Sequence, residues 1–189
     1  MNIRAYFKFW KESWKYKTSL AVERYKSVYN IPYETLARKG VKLLIFDVDD
    51  TLTAYHDRVE EKTRTLLKEL TKSFHVALLS NCTAKRREEI QQMLPDVNVY
   101  ISQENDKPAP HSFRSIIEHF KAAGENTAMI GDRLIVDLWG ALQGGINHRF
   151  LIEPYSFYYG GEKAPVFIIF LRALEKKLFL RTKLTSSSP

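Results

Sequence analysis

Between residues 41 and 152, five short apolar runs alternate with stretches of helical periodicity, and few folds accommodate that alternation. The runs are Val41 to Phe46, His75 to Leu79, Val97 to Ile101, Thr127 to Ile130 and His148 to Ile152. Between the first two, Val59, Thr63, Leu66, Leu67 and Leu70 recur on one face of a helix at 59–72. Thr83 can cap the helix that runs to Leu94. A helix opening near Pro110 aligns Phe113, Ile116, Ile117 and Phe120, with Gly124 expected to end it, and a further helix is expected at 134–143. Short buried strands joined by single helices pair in parallel, with both faces of the sheet covered. The expected fold is therefore α/β: a Rossmann-like three-layer sandwich around a five-stranded parallel sheet, strand order 3-2-1-4-5. The expected organisation is a basic, aromatic and helical segment at 1–40, the α/β domain at 41–159, and a basic C-terminal helix with a disordered Ser-rich tail at 160–189.

Charge is distributed unevenly over this plan. The chain of 189 residues has a formal net charge of +7. Residues 1–40 carry nine Lys/Arg against three acids and residues 160–189 six against two, whereas residues 41–159 are mildly acidic. Basic ends on an acidic core seek an anionic partner: a membrane surface, a nucleic acid or an acidic protein. No apolar run approaches the ~20 residues needed to span a bilayer, and the first 20 residues lack the uninterrupted apolar block of a secretory signal. Their lysines and scarce serines also disfavour a transit peptide. A lone cysteine, Cys82, excludes an intramolecular disulfide and is expected to pack as a small residue.

Ligands of parallel sheets sit at the carboxyl ends of the strands, and that edge is rich in chemistry here. The first strand ends in Asp47 and Asp49, two positions apart and so pointing the same way, followed by Thr51. Two such acids repel unless a cation or a division of labour accompanies them. A magnesium-dependent aspartyl phosphotransferase provides both. The second strand delivers Ser80 and Asn81, the loop after the third delivers Lys107 beside Pro108, and the fourth delivers Gly131 and Asp132 with Asp137 close behind. Acids, a hydroxyl and an ammonium on one sheet edge suit phosphoryl transfer, where positioning and charge neutralisation dominate.

Over residues 41–152 the chain resembles the haloacid dehalogenase superfamily, whose four motifs match in order: AspValAspAspThr (47–51), Ser80, Lys107 and GlyAspArgLeuIleValAsp (131–137). The resemblance implies that Asp47 attacks phosphorus to form an aspartyl-phosphate and that Asp49 serves as general acid, then base. It implies Mg²⁺ held by Asp47, the Asp49 carbonyl and Asp132. Ser80 and Asn81 would bind phosphate, and Lys107 would offset charge on nucleophile and phosphate. Thr51, Asp137 and Arg133 would take supporting roles. Residues 29–53, LysProAlaProHisSerPheArg (107–114) and the segment 131–146 further resemble the phosphatidylglycerophosphate phosphatases of that superfamily. Asp50, Arg133 and Val136 depart from that family, where asparagine, glutamine and threonine are common.

Residues 54–74 and 82–106 each hold one helix and its connections, too little for the cap domain that usually closes over small substrates in the superfamily. An open site accepts a phosphate presented by something large. With Ile3, Phe7, Trp10 and Trp14 on one basic helical stripe, and a second basic amphipathic helix expected at 166–181, the reading is a peripheral enzyme on an anionic phospholipid surface. The resemblance places it on the inner, cytoplasmic face of a membrane, or the matrix face in a mitochondrion, converting phosphatidylglycerophosphate to phosphatidylglycerol. The alternative is a capless phosphatase of a protein, a nucleic acid end or a soluble sugar phosphate. No nucleic-acid-binding module is recognisable.

Overall fold

The computed structural model describes residues 22–179. The aromatic stripe Ile3, Phe7, Trp10 and Trp14 and the Ser-rich tail lie outside the described residues. Six strands form the sheet: β1 (Glu23–Tyr25), β2 (Leu43–Phe46), β3 (His75–Leu78), β4 (Tyr100–Ile101), β5 (Thr127–Gly131) and β6 (His148–Ile152). Their order is β1-β6-β5-β2-β3-β4 and every pairing is parallel. β2 is central, with Leu43 opposite both His75 and Thr127.

The helices are α1 (Tyr33–Arg38), α2 (Glu61–Leu70), α3 (Ala84–Met93), α4 (Pro110–His119), a π-helical turn (Leu134–Trp139) running into α5 (Gly140–Gln143), then α6 (Tyr155–Tyr159) and α7 (Val166–Phe179). Side chains alternate across the pleat, and β2 shows the consequence. Leu44 and Phe46 join the core beneath α1, α2 and α3, with Leu36, Leu67 and Ile90. Leu43 and Ile45 join the opposite core, with Phe113 and Ile116 of α4 and Leu138. Both faces are apolar, as an all-parallel sheet requires.

Four expectations are corrected. The sheet has six strands rather than five, because Glu23–Tyr25 pairs with β6 and covers an edge that would otherwise be open. Three residues of mixed polarity carry no strand periodicity, so β1 is a product of its neighbour. β4 shrinks to Tyr100–Ile101, while Val97 closes a turn onto the Leu94 carbonyl. α4 stops at His119, and Lys121, at φ 49°, takes the left-handed position after it; Gly124 instead opens a 3₁₀ turn. The helix at 134–143 begins with a π-turn, where the Leu138 N–H reaches back five residues to the Arg133 carbonyl.

Residues 54–74 and 82–106 hold α2, and α3 with β4, and no cap domain. α7 packs beside the π-turn over the carboxyl edge of the sheet, with Arg172 and Glu175 turned inward.

Tyr25 is buried and its ring lies 5.9 Å from that of Phe150 on β6. Tyr25→Ala is expected to cost about 3 kcal/mol or more in urea unfolding, the scale of a buried aromatic truncation. A loss below about 1 kcal/mol would show that β1 is detachable from the core.

Candidate active site

At the end of β2 the chain turns sharply. The N–H groups of Thr51 and Leu52 both donate to the Val48 carbonyl, and Asp50 adopts φ 62°, a left-handed conformation that Asp tolerates better than most residues. The turn leaves Asp47 buried and aimed along the sheet edge, with its N–H bonded to the Ile130 carbonyl of β5. Lys107 comes from the loop before α4. Its buried ammonium lies 2.5 Å from Asp47 Oδ1 and 2.6 Å from Asp137 Oδ1. Burial disfavours that ammonium, but Asp137 and Asp47 outweigh burial and hold its pKa above the ordinary lysine value.

Asn81 fixes this lysine from behind. Its amide donates to the Lys107 carbonyl and accepts from the Lys107 N–H, both at 2.8 Å. The structure thus gives Asn81 a clamp on Lys107, and Asn81 also lines the cavity that holds Asp47 and Lys107. Ser80 lines the same cavity, and Thr51 Oγ1 makes a long 3.5 Å contact to Asp47 Oδ2. Gly131 is required by close approach: a Cβ there would lie 2.5 Å from Asp137 Oδ2. That oxygen accepts the Arg133 N–H at 3.0 Å. The Arg133 guanidinium points away to Glu175, at 2.7 Å.

Asp49 sits across the mouth. Its Oδ1 accepts from the His56 N–H at 3.0 Å and from Arg86 Nη2 at 3.1 Å. Arg86 is buried and also donates to the Asp57 carbonyl, so one guanidinium fixes both the acid and the loop beside it. Thr83 caps α3 by accepting the Arg86 N–H. Asp132, at the end of β5, is buried, with Oδ2 2.5 Å from Arg172 Nε on α7. Arg172 Nη1 donates to Asp50 Oδ2 at 2.8 Å, while Ser156 Oγ donates to Asp50 Oδ1 at 2.8 Å. The extra negative charge at position 50 is therefore the counter-ion of Arg172. Sequence reasoning missed Arg86 and Arg172, since each lies on a helix surface by periodicity and meets its partner only in the fold.

Asp47, Asp49, Ser80, Lys107, Asp132 and Asp137, with Tyr55, His56, Val136, Ile168 and Arg172, line one cavity of about 260 Å³. A larger concavity of about 720 Å³, around Lys42, His75 and Phe120, lies at the start of β2 and β3 and contains no carboxylate. The clustered carboxylates and Lys107 converge on the smaller one.

Its charge argues for a cation. Carboxylate oxygens of Asp47, Asp132 and Asp137 lie within 4.8 Å of one another. At an effective dielectric constant of about 20, each such like-charge pair costs about 3 kcal/mol. Asp137 is engaged by Lys107 and the Arg133 N–H, while Asp132 Oδ1 is buried without a hydrogen-bond partner among the described residues. Five carboxylates (47, 49, 50, 132 and 137) face three cations (Lys107, Arg86 and Arg172), an excess that one divalent ion would neutralise. Hard carboxylate oxygens of this kind suit a divalent ion such as Mg²⁺, so the donor set fits one, and Asp47 and Asp132 are the side chains that would hold it.

Burial raises Asp47 from 3.8 to about 7, against the pull of Lys107. It raises Asp132 from 3.8 to about 8, against the pull of Arg172. A raised acid holds its proton longer in the folded chain than in the unfolded one. Its contribution to stability is complete below about pH 4 and lost as pH climbs to about 8. A divalent ion binds the ionised carboxylates and opposes that loss. The gain in melting temperature on adding Mg²⁺ is therefore expected to be several degrees larger at about pH 8 than at about pH 6, read by differential scanning calorimetry. Equal gains at both pH values would contradict the carboxylate site.

The chain is similar to several known proteins. A curated relative, "Probable phosphatase YqeG" of Bacillus subtilis (strain 168), is 27% identical over 143 residues, 74% of this chain and 80% of the relative. Among solved structures, a HAD phosphatase from Thermococcus onnurineus is 15% identical, with a TM-score of 0.48 over 66% of this chain and all of that one. The cobalt-bound deoxy-D-mannose-octulosonate 8-phosphate phosphatase of Haemophilus influenzae is also 15% identical, with a TM-score of 0.45 over 62% of this chain and 82% of that one. The family model described as "Mitochondrial PGP phosphatase" matches residues 5–152. That match spans well over half the chain and runs from the first motif through the last, so the chain belongs to the mitochondrial PGP phosphatase family.

Proposed function

We propose that this phosphatase is a Mg²⁺-dependent phosphomonoesterase that works through an aspartyl-phosphate on Asp47, and that its substrate is phosphatidylglycerophosphate at an anionic membrane surface. The observation that carries the chemistry is the buried Lys107 ammonium between Asp47 and Asp137. It orients the Asp47 carboxylate and opposes the rise in its proton affinity that burial causes. Family membership and an edge without a cap domain support the lipid substrate.

In the first step an Asp47 carboxylate oxygen bonds to phosphorus as the ester P–O bond breaks, and Asp49 gives its proton to the leaving alkoxide. In the second, Asp49 takes a proton from water as that water bonds to phosphorus. The acyl–phosphate bond breaks, and inorganic phosphate leaves with Asp47 regenerated. Lys107 faces the charge that accumulates between nucleophile and phosphoryl oxygens. Ser80 supplies a hydroxyl to a phosphoryl oxygen, and Asn81 keeps Lys107 in place. Asp137 orients the same lysine. Arg86 fixes Asp49 at the mouth of the site, where the leaving group departs. Bound Mg²⁺, held by Asp47, Asp132 and the Asp49 carbonyl, would neutralise phosphoryl charge.

The test is phosphate release from phosphatidylglycerophosphate in mixed micelles, beside a soluble sugar phosphate and a 3′-phosphorylated oligonucleotide. We expect Mg²⁺-dependent turnover with strong preference for the lipid. Asp47→Asn and Asp49→Asn should each lower kcat by at least about a hundredfold. Equal or better turnover of a soluble ester would keep the chemistry and remove the lipid assignment. Near-normal activity in Asp47→Asn would overturn the mechanism.

A further inference from the structure

Helix α7 has its polarity reversed. A helix covering a core normally turns its apolar stripe inward, yet the buried positions here are Arg172 and Glu175, 6% and 3% exposed. Arg172 meets Asp50 and Asp132, and Glu175 meets Arg133 and the Ile135 N–H. The outward stripe is Val166, Phe167, Phe170, Ala173 and Lys177, with Phe167 54% and Phe170 60% exposed. Ion pairs with the site fix the helix in this rotation, so the apolar face cannot turn inward without breaking them. Two exposed phenylalanines on one helical face are a surface that water does not favour.

The composition around the stripe selects the partner. Lys163 and Lys177 are exposed at its two ends, and Lys176 beside it is neutralised by Glu153. On the preceding helix, α6, Phe157 and Tyr158 are also exposed, and the Lys26 ammonium lies 4.6 Å from the centre of the Tyr158 ring. Aromatic side chains flanked by lysines that have no ion pair among the described residues match an anionic phospholipid interface, where rings enter the headgroup layer and ammonium groups meet phosphate. Among the described residues no helix is long and apolar enough to cross a membrane, so α7 would lie along the surface. Ile168, on the same helix, lines the active-site cavity, so a bilayer seated on the stripe would lie next to the mouth of the site.

We infer that the Val166–Phe167–Phe170–Ala173 face of α7 is the membrane-docking surface, and that it seats the site at headgroup depth in an anionic bilayer. The inference rests on the lipid-phosphate reading above. Binding is measured without substrate, so surface and substrate assignments can fail independently.

The experiment is co-sedimentation of the full chain with vesicles of phosphatidylcholine alone and of phosphatidylcholine mixed with phosphatidylglycerol. The Phe167→Ser/Phe170→Ser double variant is compared, with circular dichroism melting as the fold control. The expected result is binding to the mixed vesicles, reduced about tenfold or more in the variant, with melting unchanged. A second measurement places an environment-sensitive fluorophore on Phe170→Cys in a Cys82→Ser background. Its emission should shift to the blue on adding mixed vesicles. Unchanged vesicle binding in the variant, or no emission shift, would overturn the inference. So would unchanged binding with a lower mass by light scattering, which would make the face a contact between copies. Unchanged binding with a lower melting temperature would mark it as covered by the chain itself, and would equally overturn it. Binding lost in the variant, together with no lipid hydrolysis by the unaltered chain that does bind, would sustain the surface and remove the substrate.

Discussion

A buried ammonium held between two carboxylates organises this molecule: Lys107 lies 2.5 Å from Asp47 and 2.6 Å from Asp137. Removing either carboxylate would leave the lysine held from one side only, and removing the lysine would leave two buried acids facing each other. Neighbouring features serve that contact. Asn81 clamps the lysine backbone, Gly131 lets Asp137 approach, and the Arg133 N–H takes the second oxygen of Asp137. The result is a carboxylate at the end of the central strand that is oriented before any substrate arrives, and preorganised charge of this kind is what phosphoryl transfer demands.

Around this centre the chain solves a second problem, that of a site without a cap domain. Its wall comes from α7, which covers the sheet edge with Arg172 and Ile168. Arg172 joins Asp132, a proposed metal ligand, to Asp50, whose carboxylate Ser156 also holds. Position 50 is thus a structural acid paired with an arginine more than a hundred residues away. Turning its charged face to the site leaves α7 with phenylalanines outward, so one set of ion pairs both closes the site and shapes the surface beside it.

Much of this was legible in the sequence because local signals and tertiary structure agree. The short apolar runs became β2, β3, β5 and β6, Thr83 caps its helix, and Pro110 opens α4. Asp47, Ser80, Lys107, Asp132 and Asp137 share one cavity because strand ends in a parallel sheet share an edge. What was not legible depended on distant partners. Glu23–Tyr25 is a strand only because β6 needs one. The hold of Asn81 on the Lys107 backbone emerges only when the two loops meet, and Arg86 reads as an exposed helical charge until Asp49 turns towards it. The helix expected at 166–181 reads as a basic surface helix, and nothing local reveals that its Arg172 has two buried acids to meet.

The central claim is that Asp47 carries the phosphoryl group. Acid quenching during turnover, followed by borohydride reduction and peptide mass mapping, converts an aspartyl-phosphate into homoserine at the modified position. The account predicts homoserine at residue 47 and at no other aspartate, with none formed when substrate is omitted. Homoserine at Asp49 or Asp132, or phosphate on a histidine or serine, would contradict it.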